Sequence, residues 1–339
     1  AWCILHDLMG ALELLPVSRK VKEKILKRSL GFLRKEFPSR KIPSYYITEV
    51  HRILKEESGI AYPFKALREK CNIVGMALAA RVGKKALRLN GVKRFEYLIR
   101  WTIAGNHFDF RTIGAGYRLN TEKVGKKLTE IVRERLRVDH IRGIFQAVKK
   151  SHHILYIHDN VGEIALDKLL IQELSQWCPA VVSALRGGPI TSDATVEDGR
   201  QVGLDSAVSR IISAGPDTLG ISWEEMSPEL RKEINAADLI VAKGQANFYV
   251  LSGHRKEIRA PVVFLLRTKC TPVAEFFGFQ GQGNVAALDR GSKKSYFSGE
   301  IGRQKPLKTS GSRLYTAPQG DNGRVQRLSR GPFREFEQL

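Results

Sequence analysis

Acidic and amide side chains follow two short apolar runs in the middle of the chain. Asp159 and Asn160 come directly after HHILYIH, and Asp193 lies in the polar stretch that follows AVVSAL. Carboxylate and amide oxygens are the ligands that hard cations such as Mg²⁺ and Mn²⁺ prefer. These residues are therefore predicted to hold a divalent metal ion, with Asp159 and Asp193 as catalytic residues.

Basic side chains follow two further apolar runs. Lys243 follows one of them, and Arg267 and Lys269 follow the other. An arginine can grip a phosphate with two donors and a lysine acts as a point charge, so all three are predicted to bind phosphate, with Lys243 also catalytic. Gly162 allows the next helix to begin tightly, and the N–H groups of a helix N-terminus favour an anion. Metal ligands, positive charges and a helix terminus together indicate phosphoryl transfer.

Parallel β-strands are needed to bring these four segments together. Between residues 151 and 278, apolar runs rich in β-branched residues alternate with helical periodicity, which is typical of a parallel sheet covered on both faces. In such sheets, ligands bind outside the carboxyl ends of the strands. We predict an α/β fold with a Rossmann-like, largely parallel sheet flanked by helices. Within it, EDGRQVGLDSAVSRII is predicted to be a helix and DTLGIS a short strand.

Two further regions are predicted on either side of this α/β domain. Residues 1–150 carry apolar side chains at three- and four-residue steps and are predicted to form an all-helical lobe. Residues 279–339 are rich in Gly, Ser, Gln and Arg without a sustained period. Such a segment cannot bury enough apolar surface to offset its ordering entropy, so we predict that this basic tail is disordered.

The net charge of +21 is concentrated in the N-terminal lobe. Residues 1–153 contain 33 basic and 14 acidic residues, a difference of +19, whereas residues 154–278 contain 12 and 16, a difference of −4. A basic lobe can attract phosphorylated ligands or nucleic acid, although solvated helix faces carry such charge equally well. No run approaches the roughly 18 uncharged apolar residues of a membrane helix, so no membrane association is expected.

The four cysteines lie far apart without a C-x-x-C pair, so their spacing predicts no zinc site. Unpaired thiols are typical of a reducing compartment, and we expect a cytoplasmic protein. The opening run AWCILHDLMGALELL contains acidic residues and a histidine, so it is predicted to be an amphipathic helix rather than a signal peptide.

Each candidate site residue also has a purely structural interpretation. Asp159 could cap a helix, and Asp193 could cap the helix predicted to begin near Glu197. Lys243 and its following glycine could mark a helix stop, and Lys269 could be the solvated end of an edge strand. Four strand ends that all deliver polar groups to one rim favour the functional interpretation.

Four segments resemble the successive motifs of the damage-control phosphatases, a family formerly described as domain of unknown function 89. They are HDNVGEIALDKLLIQEL, RGGPITSDAT, DLIVAKGQANF and LLRTKCTPVA. The resemblance covers about residues 1–278 and implies a helical lobe, a Rossmann-like metal domain and phosphatase activity on small phosphorylated metabolites. It also implies a divalent metal (Mn²⁺, Mg²⁺, Co²⁺ or Ni²⁺) held by Asp159, Asn160 and Asp193.

The same resemblance implies further contacts to the substrate. Lys243 and the Arg267-Thr268-Lys269 run would hold the phosphate, with Glu163 and Asn247 nearby. In the helical lobe, Asn106 and Asp109 of the segment AGNHFDF would close over the substrate. The resemblance implies no function for the basic tail.

The expected reaction is hydrolysis of the phosphomonoester of a small metabolite. The metal would polarise a phosphoryl oxygen while Lys243 and Lys269 neutralise the developing charge. The nucleophile is either a water on the metal or the carboxylate of Asp159, and the sequence does not choose between them. One alternative is a carboxyl methyltransferase that uses S-adenosylmethionine, but no Gly-rich loop follows HHILYIH. The other is a basic nucleic-acid-binding module, for which no motif is present.

Overall fold

One seven-stranded sheet organises the part of the chain that the computed structural model describes, residues 2–39, 41–110 and 123–291. Its strands are β1 (Leu136–Asp139), β2 (His153–Ile157), β3 (Ala180–Leu185), β4 (Arg210–Ser213), β5 (Leu239–Lys243), β6 (Val262–Arg267) and β7 (Asn284–Asp289). Their order across the sheet is β1-β7-β6-β5-β2-β3-β4. Strands β2 to β6 are parallel, whereas β7 is antiparallel to β6 and β1 is parallel to β7. The predicted α/β fold with a largely parallel sheet is confirmed.

The order of the parallel strands creates a crevice at the centre of the sheet. Counted from β2, the five parallel strands have the order 3-2-1-4-5 that is found in doubly wound Rossmann folds. The chain passes from β2 to β3 on one side and returns to β5 on the other, so the connections diverge between β2 and β5. Such a divergence at the carboxyl ends of two neighbouring strands is where these sheets bind ligands. The polar residues that follow β2 and β5 are therefore placed together.

Helices cover both faces of the sheet. They are α1 (Trp2–Leu14), α2 (Arg19–Glu36), α3 (Pro43–Ser58), α4 (Lys65–Ala86), α5 (Gly91–Ala104), α6 (Val124–Arg133), α7 (Ile141–Lys150), α8 (Glu163–Leu174), α9 (Val196–Gln201), α10 (Pro228–Ala236), α11 (Gly244–Gly253) and α12 (Thr271–Phe276). Short 3₁₀ turns occupy Phe37–Ser39, Gly105–Phe108, Leu204–Ser206 and Arg255–Glu257.

Each face of the sheet has its own apolar core. In β2, Ile154 and Tyr156 pack with residues of helices α1 to α8, whereas Leu155 and Ile157 pack with residues of α10, α11 and α12. Side chains alternate across a strand, so a strand that is buried on both faces has an uninterrupted apolar sequence. This explains why the central strands could be predicted from continuous apolar runs.

The sheet extends beyond the predicted α/β domain of residues 151–278. Strand β1 lies inside the range predicted as an all-helical lobe, and β7 lies inside the range predicted as a disordered tail. Both boundaries are therefore corrected. The strands were missed because β1 is short and polar, with two charged residues in LRVD, and because β7 follows a Gly- and Gln-rich stretch. The remainder of the predicted tail, residues 292–339, lies outside the described residues.

Two predicted elements between β3 and α10 are wrong. The predicted helix from Glu197 ends as α9 at Gln201, and Arg210–Ser213 is the edge strand β4 instead. The predicted strand DTLGIS is a loop. Helix α10 begins at Pro228, with Ser227 accepting a hydrogen bond from the N–H of Leu230. A membrane-crossing helix, with the length and apolar character that this requires, is not found among the described residues.

Candidate active site

The predicted metal-binding residues are neighbours at the carboxyl ends of β2 and β3. The segment after β2 pairs antiparallel with the loop after β3: the N–H of Ala194 donates to the carbonyl of Asp159 at 2.7 Å. Asn160 and Asp193 form a β-bridge between the same two segments. This backbone pairing brings Asp193 next to Asp159 and Asn160, which lie more than 30 residues earlier in the sequence.

Asp193 has one carboxylate oxygen that is held and one that is unsatisfied. Its Oδ2 accepts hydrogen bonds from Arg186 Nε at 3.1 Å and from the N–H of Gly220 at 2.7 Å. Its Oδ1 is buried and accepts no hydrogen bond from the described residues. A buried carboxylate oxygen without a partner is costly. The two donors thus orient Asp193 and leave Oδ1 as a potential ligand for a cation.

Asp159 and Asn160 are oriented by amide hydrogen bonds. Asp159 Oδ2 accepts from Asn160 Nδ2 at 2.7 Å and from Asn106 Nδ2 at 3.3 Å. Asn160 Oδ1 in turn lies 2.8 Å from the hydroxyl of Ser192. Burial raises the pKa of the Asp159 carboxyl well above its usual range, and the negative charges of Glu163 and Asp193 raise it further. This concentration of buried acidic groups favours binding of a cation.

The carboxylate of Asp159 also lies against the N-terminus of α11. Gly244, the first residue of this helix, has φ +76°, and a Cβ placed there would lie 1.9 Å from Asp159 Oδ2. The absence of a side chain at position 244 therefore makes room for the carboxylate. The N-terminus of a helix also stabilises nearby negative charge.

Gly244→Ala is expected to weaken binding of a divalent cation at the candidate site by about 10- to 100-fold, because the new methyl group must displace Asp159 and because a non-glycine residue at this φ is strained by about 1–3 kcal/mol. Gly253→Ala at the other end of α11 is the matched control, since a Cβ there meets no atom within 4 Å. Calorimetric titration of both variants with Mn²⁺ tests this. Equal affinity of Gly244→Ala and Gly253→Ala would contradict the placement of Asp159.

Glu163 and Lys243 form a buried ion pair beside Asn106 and Asn160. Glu163 accepts hydrogen bonds from Asn106 Nδ2 at 2.7 Å, from Asn160 Nδ2 at 2.9 Å and from the ammonium of Lys243. Lys243 also donates to the carbonyl of Thr102 at 3.1 Å and lies 3.2 Å from Asp167 Oδ1. These partners use all three N–H donors of the ammonium group. The Lys243 ammonium thus lies in the buried interior of the site, and its role toward a phosphate stays a prediction. Glu163 in turn holds Asn106 and Asn160.

The buried charges below the site compensate one another. Burial by itself lowers the pKa of the Lys243 ammonium, but the carboxylates of Asp167 and Glu163 raise it above its usual value, so the amine stays protonated. Burial by itself raises the pKa of Asp167, but Lys243 and a hydrogen bond from His158 lower it. Burial lowers the pKa of His158, so this imidazole is neutral. Its Nδ1 therefore donates to Asp167 while its Nε2 accepts from the hydroxyl of Ser183.

Asn247 connects several strand ends through its side-chain amide, while its expected role in substrate binding stays a prediction. Its amide oxygen accepts from Arg186 Nη2 at 3.1 Å and from the N–H of Ile221 at 2.9 Å. Its amide nitrogen donates to the carbonyls of His158 at 2.9 Å and Lys243 at 2.8 Å. These four bonds complete the hydrogen-bonding capacity of an asparagine. Asn247 therefore ties the ends of β2, β3 and β5 to the loop that contains Ile221.

The two basic residues after β6 are placed differently. The guanidinium of Arg267 donates to both carboxylate oxygens of Glu134 and to Asn284 Oδ1, away from Asp159. Only its backbone N–H faces the site, where it donates to Asn106 Oδ1 at 3.0 Å. The predicted phosphate contact of the Arg267 side chain is not supported by these contacts and stays a prediction.

Lys269, in contrast, remains at the candidate site. Its ammonium pairs with Asp109, whose other carboxylate oxygen lies 2.8 Å from the hydroxyl of Ser192. Ser192 is also within 2.8 Å of Asn160 Oδ1, so it connects Asp109 to the metal-binding residues. The predicted residues Asn106, Asp109 and Lys269 thus lie together with Asp159, Asn160 and Asp193.

Helix α4 fastens the loop that carries Asp193. Arg68 is fully buried and donates to the carbonyls of Thr191 at 2.5 Å and Asp193 at 2.8 Å. Asn72 bonds to Asp198 at 2.9 Å and accepts from the N–H of Gly162 at 2.8 Å. The helical lobe thereby fixes both segments that supply the candidate metal ligands.

The structural interpretations of the two aspartates as helix caps are wrong. Gly162 is the N-cap of α8, and Thr195 caps α9 together with Asp198. No group of three or more His, Cys, Asp or Glu side chains is arranged around a metal position in the described part of the chain. The candidate cation site consists instead of two aspartates and the amide of Asn160, and an ion held there would complete its coordination with water or substrate oxygens.

Sequence reasoning missed several residues that position the site. Arg68 lies in a basic helix outside the quoted motifs, and Ser192 lies within RGGPITSDAT but was assigned no role, so the burial of both was not predicted. Gly220 contributes only its backbone N–H, which no side-chain pattern reveals. Arg186 could have been found, because it directly follows a buried strand and charged residues at strand ends were already candidates elsewhere.

Comparisons with known proteins identify the family of this chain. Residues 1–285 match the family model of the damage-control phosphatase ARMT1-like domain. Relatives include an uncharacterized protein of Methanocaldococcus jannaschii, 31% identical over 84% of this chain and 92% of its own length, and a damage-control phosphatase of Archaeoglobus fulgidus, 30% identical over 84% and 96%. A crystal structure of a DUF89 family protein from Pyrococcus horikoshii superposes with a TM-score of 0.73 at 28% identity and covers 85% of this chain and 98% of that one. The chain therefore belongs to the damage-control phosphatase ARMT1-like family.

Proposed function

We propose that this protein is a divalent-metal-dependent phosphatase that hydrolyses small phosphorylated metabolites. The observation that carries the proposal is the buried, unpartnered Oδ1 of Asp193 beside Asp159 and Asn160 at the crevice of the sheet. Relatives that are named damage-control phosphatases, from Archaeoglobus fulgidus and Pyrococcus horikoshii, support the reaction class.

The residues fit a hard divalent cation. Asp159, Asn160 and Asp193 would hold it through carboxylate and amide oxygens, which suits Mg²⁺, Mn²⁺, Co²⁺ or Ni²⁺ better than a soft thiophilic ion. When bound, the ion supplies Lewis-acid activation of a phosphoryl group. Asn106 and Glu163 keep the ligands in place through the hydrogen bonds described above, and Gly220 and Arg186 fix Asp193. Orientation by such outer partners is general in metal sites.

Lys269 is the proposed phosphate-binding residue. Its side chain is 18% exposed, whereas Lys243 is fully buried, so its ammonium can reach an incoming phosphate. Its pairing with Asp109 balances its charge, and a phosphate with more negative charge would compete for the same ammonium. Asp109 and Asn106 lie next to the metal residues and are proposed to contact the remainder of the substrate.

A hydrolysis screen tests the proposed function. Sugar phosphates and cofactor phosphates would be incubated with the purified protein and Mg²⁺, Mn²⁺, Co²⁺ or Ni²⁺, and inorganic phosphate measured. Release of phosphate that depends on the added ion supports the proposal. A protein that releases no phosphate but binds S-adenosylmethionine in calorimetric titration would contradict it in favour of methyl transfer. A salt-dependent shift of labelled RNA without hydrolysis would favour nucleic-acid binding.

Lys269→Met is expected to raise KM for the phosphate ester by about tenfold, because one charge-assisted hydrogen bond to phosphate contributes about 1.5–3 kcal/mol. The affinity for Mn²⁺ should not fall, since removal of a positive charge near Asp159 does not oppose the binding of a cation. Steady-state kinetics combined with calorimetric titration of Mn²⁺ separates the two effects. An unchanged KM would contradict the assignment of Lys269.

A further inference from the structure

The loop between β4 and α10, residues 214–227, connects helix α3 to the candidate metal site. Three successive N–H groups in this loop donate to three different elements. The N–H of Leu219 donates to Thr48 Oγ1 of α3 at 3.0 Å, that of Gly220 to Asp193 Oδ2 at 2.7 Å, and that of Ile221 to Asn247 Oδ1 at 2.9 Å. The loop whose Gly220 N–H orients Asp193 is thus also hydrogen-bonded to Thr48 of α3.

Gly220 has no side chain whose packing could hold it in this position. Its φ is +67°, and a Cβ at this position would lie 2.7 Å from the Cβ of Ala246 and 2.9 Å from its carbonyl carbon. The loop backbone therefore rests directly on α11. The neighbouring residues must keep it there, because glycine contributes only backbone contacts.

Ion pairs from α3 hold the outer end of the same loop. Lys55 donates to Asp217 Oδ2 at 2.5 Å and to the carbonyl of Pro189 at 3.1 Å. Arg52 donates to Asp217 Oδ1 at 3.2 Å and to Glu225 Oε2 at 2.8 Å. Asp217 therefore has a basic residue of α3 on each carboxylate oxygen. These side chains are between 19% and 40% exposed, so the pairs are partly shielded from solvent and are more than isolated surface contacts.

We infer that Thr48, Arg52 and Lys55 are positioning residues for the proposed metal site. Through these side chains, α3 holds the loop of residues 214–227, and with it the Gly220 N–H, in place. Without these contacts, the loop can move away from α11, and Asp193 loses the Gly220 N–H and keeps only Arg186 on Oδ2. Asp193 can then rotate, and its Oδ1 no longer has a fixed direction toward the ion. Loss of such outer contacts weakens metal binding in other proteins by about 10- to 100-fold. The inference rests on the proposed metal-dependent function.

Two variants and one matched control test the inference. Asp217→Ala removes the ion pairs that Arg52 and Lys55 make with Asp217 and leaves the pair of Arg52 with Glu225. Thr48→Val removes the acceptor of the Leu219 N–H with little change of shape. Arg28→Met is the control, because Arg28 also makes two ion pairs to α3, with Glu56 and Glu57, but has none with the loop. Calorimetric titration with Mn²⁺ gives the affinity, hydrogen exchange gives the protection of residues 219–221, and melting of the metal-free proteins shows that they are folded.

Asp217→Ala and Thr48→Val are expected to bind Mn²⁺ about tenfold more weakly and to exchange the amides of residues 219–221 faster, while Arg28→Met does neither. Wild-type affinity for Mn²⁺ in both Asp217→Ala and Thr48→Val, with both variants folded, would overturn the inference and leave the proposed function intact. A wild-type protein that binds none of the four divalent ions would overturn both. Equal loss of affinity in Arg28→Met would also overturn it, since the effect would then come from α3 in general.

Discussion

Asp193→Asn is expected to abolish metal-stimulated hydrolysis, with a loss of about a thousandfold in kcat/KM, which corresponds to about 4 kcal/mol. Oδ2 of Asp193 faces two donors, Arg186 Nε and the N–H of Gly220. An amide in the same place must turn its NH₂ group either toward these donors or toward the cation. Both orientations are repulsive, although the shape of the side chain is unchanged.

The control for this variant is Asp205→Asn, because Asp205 is exposed and lies outside the site. Phosphate release with saturating Mn²⁺ would be compared for the two variants, together with circular dichroism to establish that both are folded. The control is expected to retain wild-type activity. Metal-stimulated turnover by Asp193→Asn at a wild-type rate would remove Asp193 from the proposed site.

Lys243→Met is expected to lower the free energy of unfolding by about 3–5 kcal/mol, because removal of one partner leaves uncompensated charge in a buried ion-pair network. Lys243, Glu163 and Asp167 are all fully buried, so water cannot replace the missing ammonium. Denaturant titration should be done with a chelator present, so that altered ion binding does not contribute to the measured stability.

Two other lysine variants distinguish this role from a role in catalysis. Lys232→Met, on the exposed side of α10, is expected to change stability by about 0.5 kcal/mol or less. Lys269→Met should lose less stability than Lys243→Met, because its ion pair with Asp109 is partly exposed, while it raises KM. If Lys243→Met were as stable as these two and lost only turnover, Lys243 would have to act on the substrate, contrary to its observed contacts.

The central strands could be predicted from the sequence because of their burial. HILYI, AVVSAL, LIVAK and VVFLLR are apolar on both faces, and each was followed by polar residues at the point where the strand ends. The edge strands β1 and β4 carry charged or half-exposed residues, so they do not resemble buried strands. Strand β7 is buried, but it follows a Gly- and Gln-rich stretch and was therefore assigned to the tail. Their positions depend on pairing with β7, β3 and β6, which is a property of the folded sheet.

The proximity of Asp159 and Asp193 could likewise be predicted, whereas the directions of the Lys243 and Arg267 side chains could not. Residues directly after β2 and β3 must lie at the same edge of the sheet, so the proximity of Asp159 and Asp193 follows from topology. The direction of a long side chain does not. Lys243 extends into the interior because it pairs there with Glu163 and Asp167 of α8. The guanidinium of Arg267 pairs instead with Glu134. Glu163 and Asp167 belong to α8 and Glu134 follows the end of α6, and the sequence pattern does not reveal that these segments lie beside the strand ends.

Crystals of the protein soaked with Mn²⁺ provide the most direct test, through an anomalous difference map measured near the manganese absorption edge. We predict one strong peak in contact with oxygens of Asp159, Asn160 and Asp193, and loss of that peak in Asp193→Asn. A map without density at these three residues under saturating Mn²⁺, or with its strongest peak at another set of ligands, would contradict the proposed metal site.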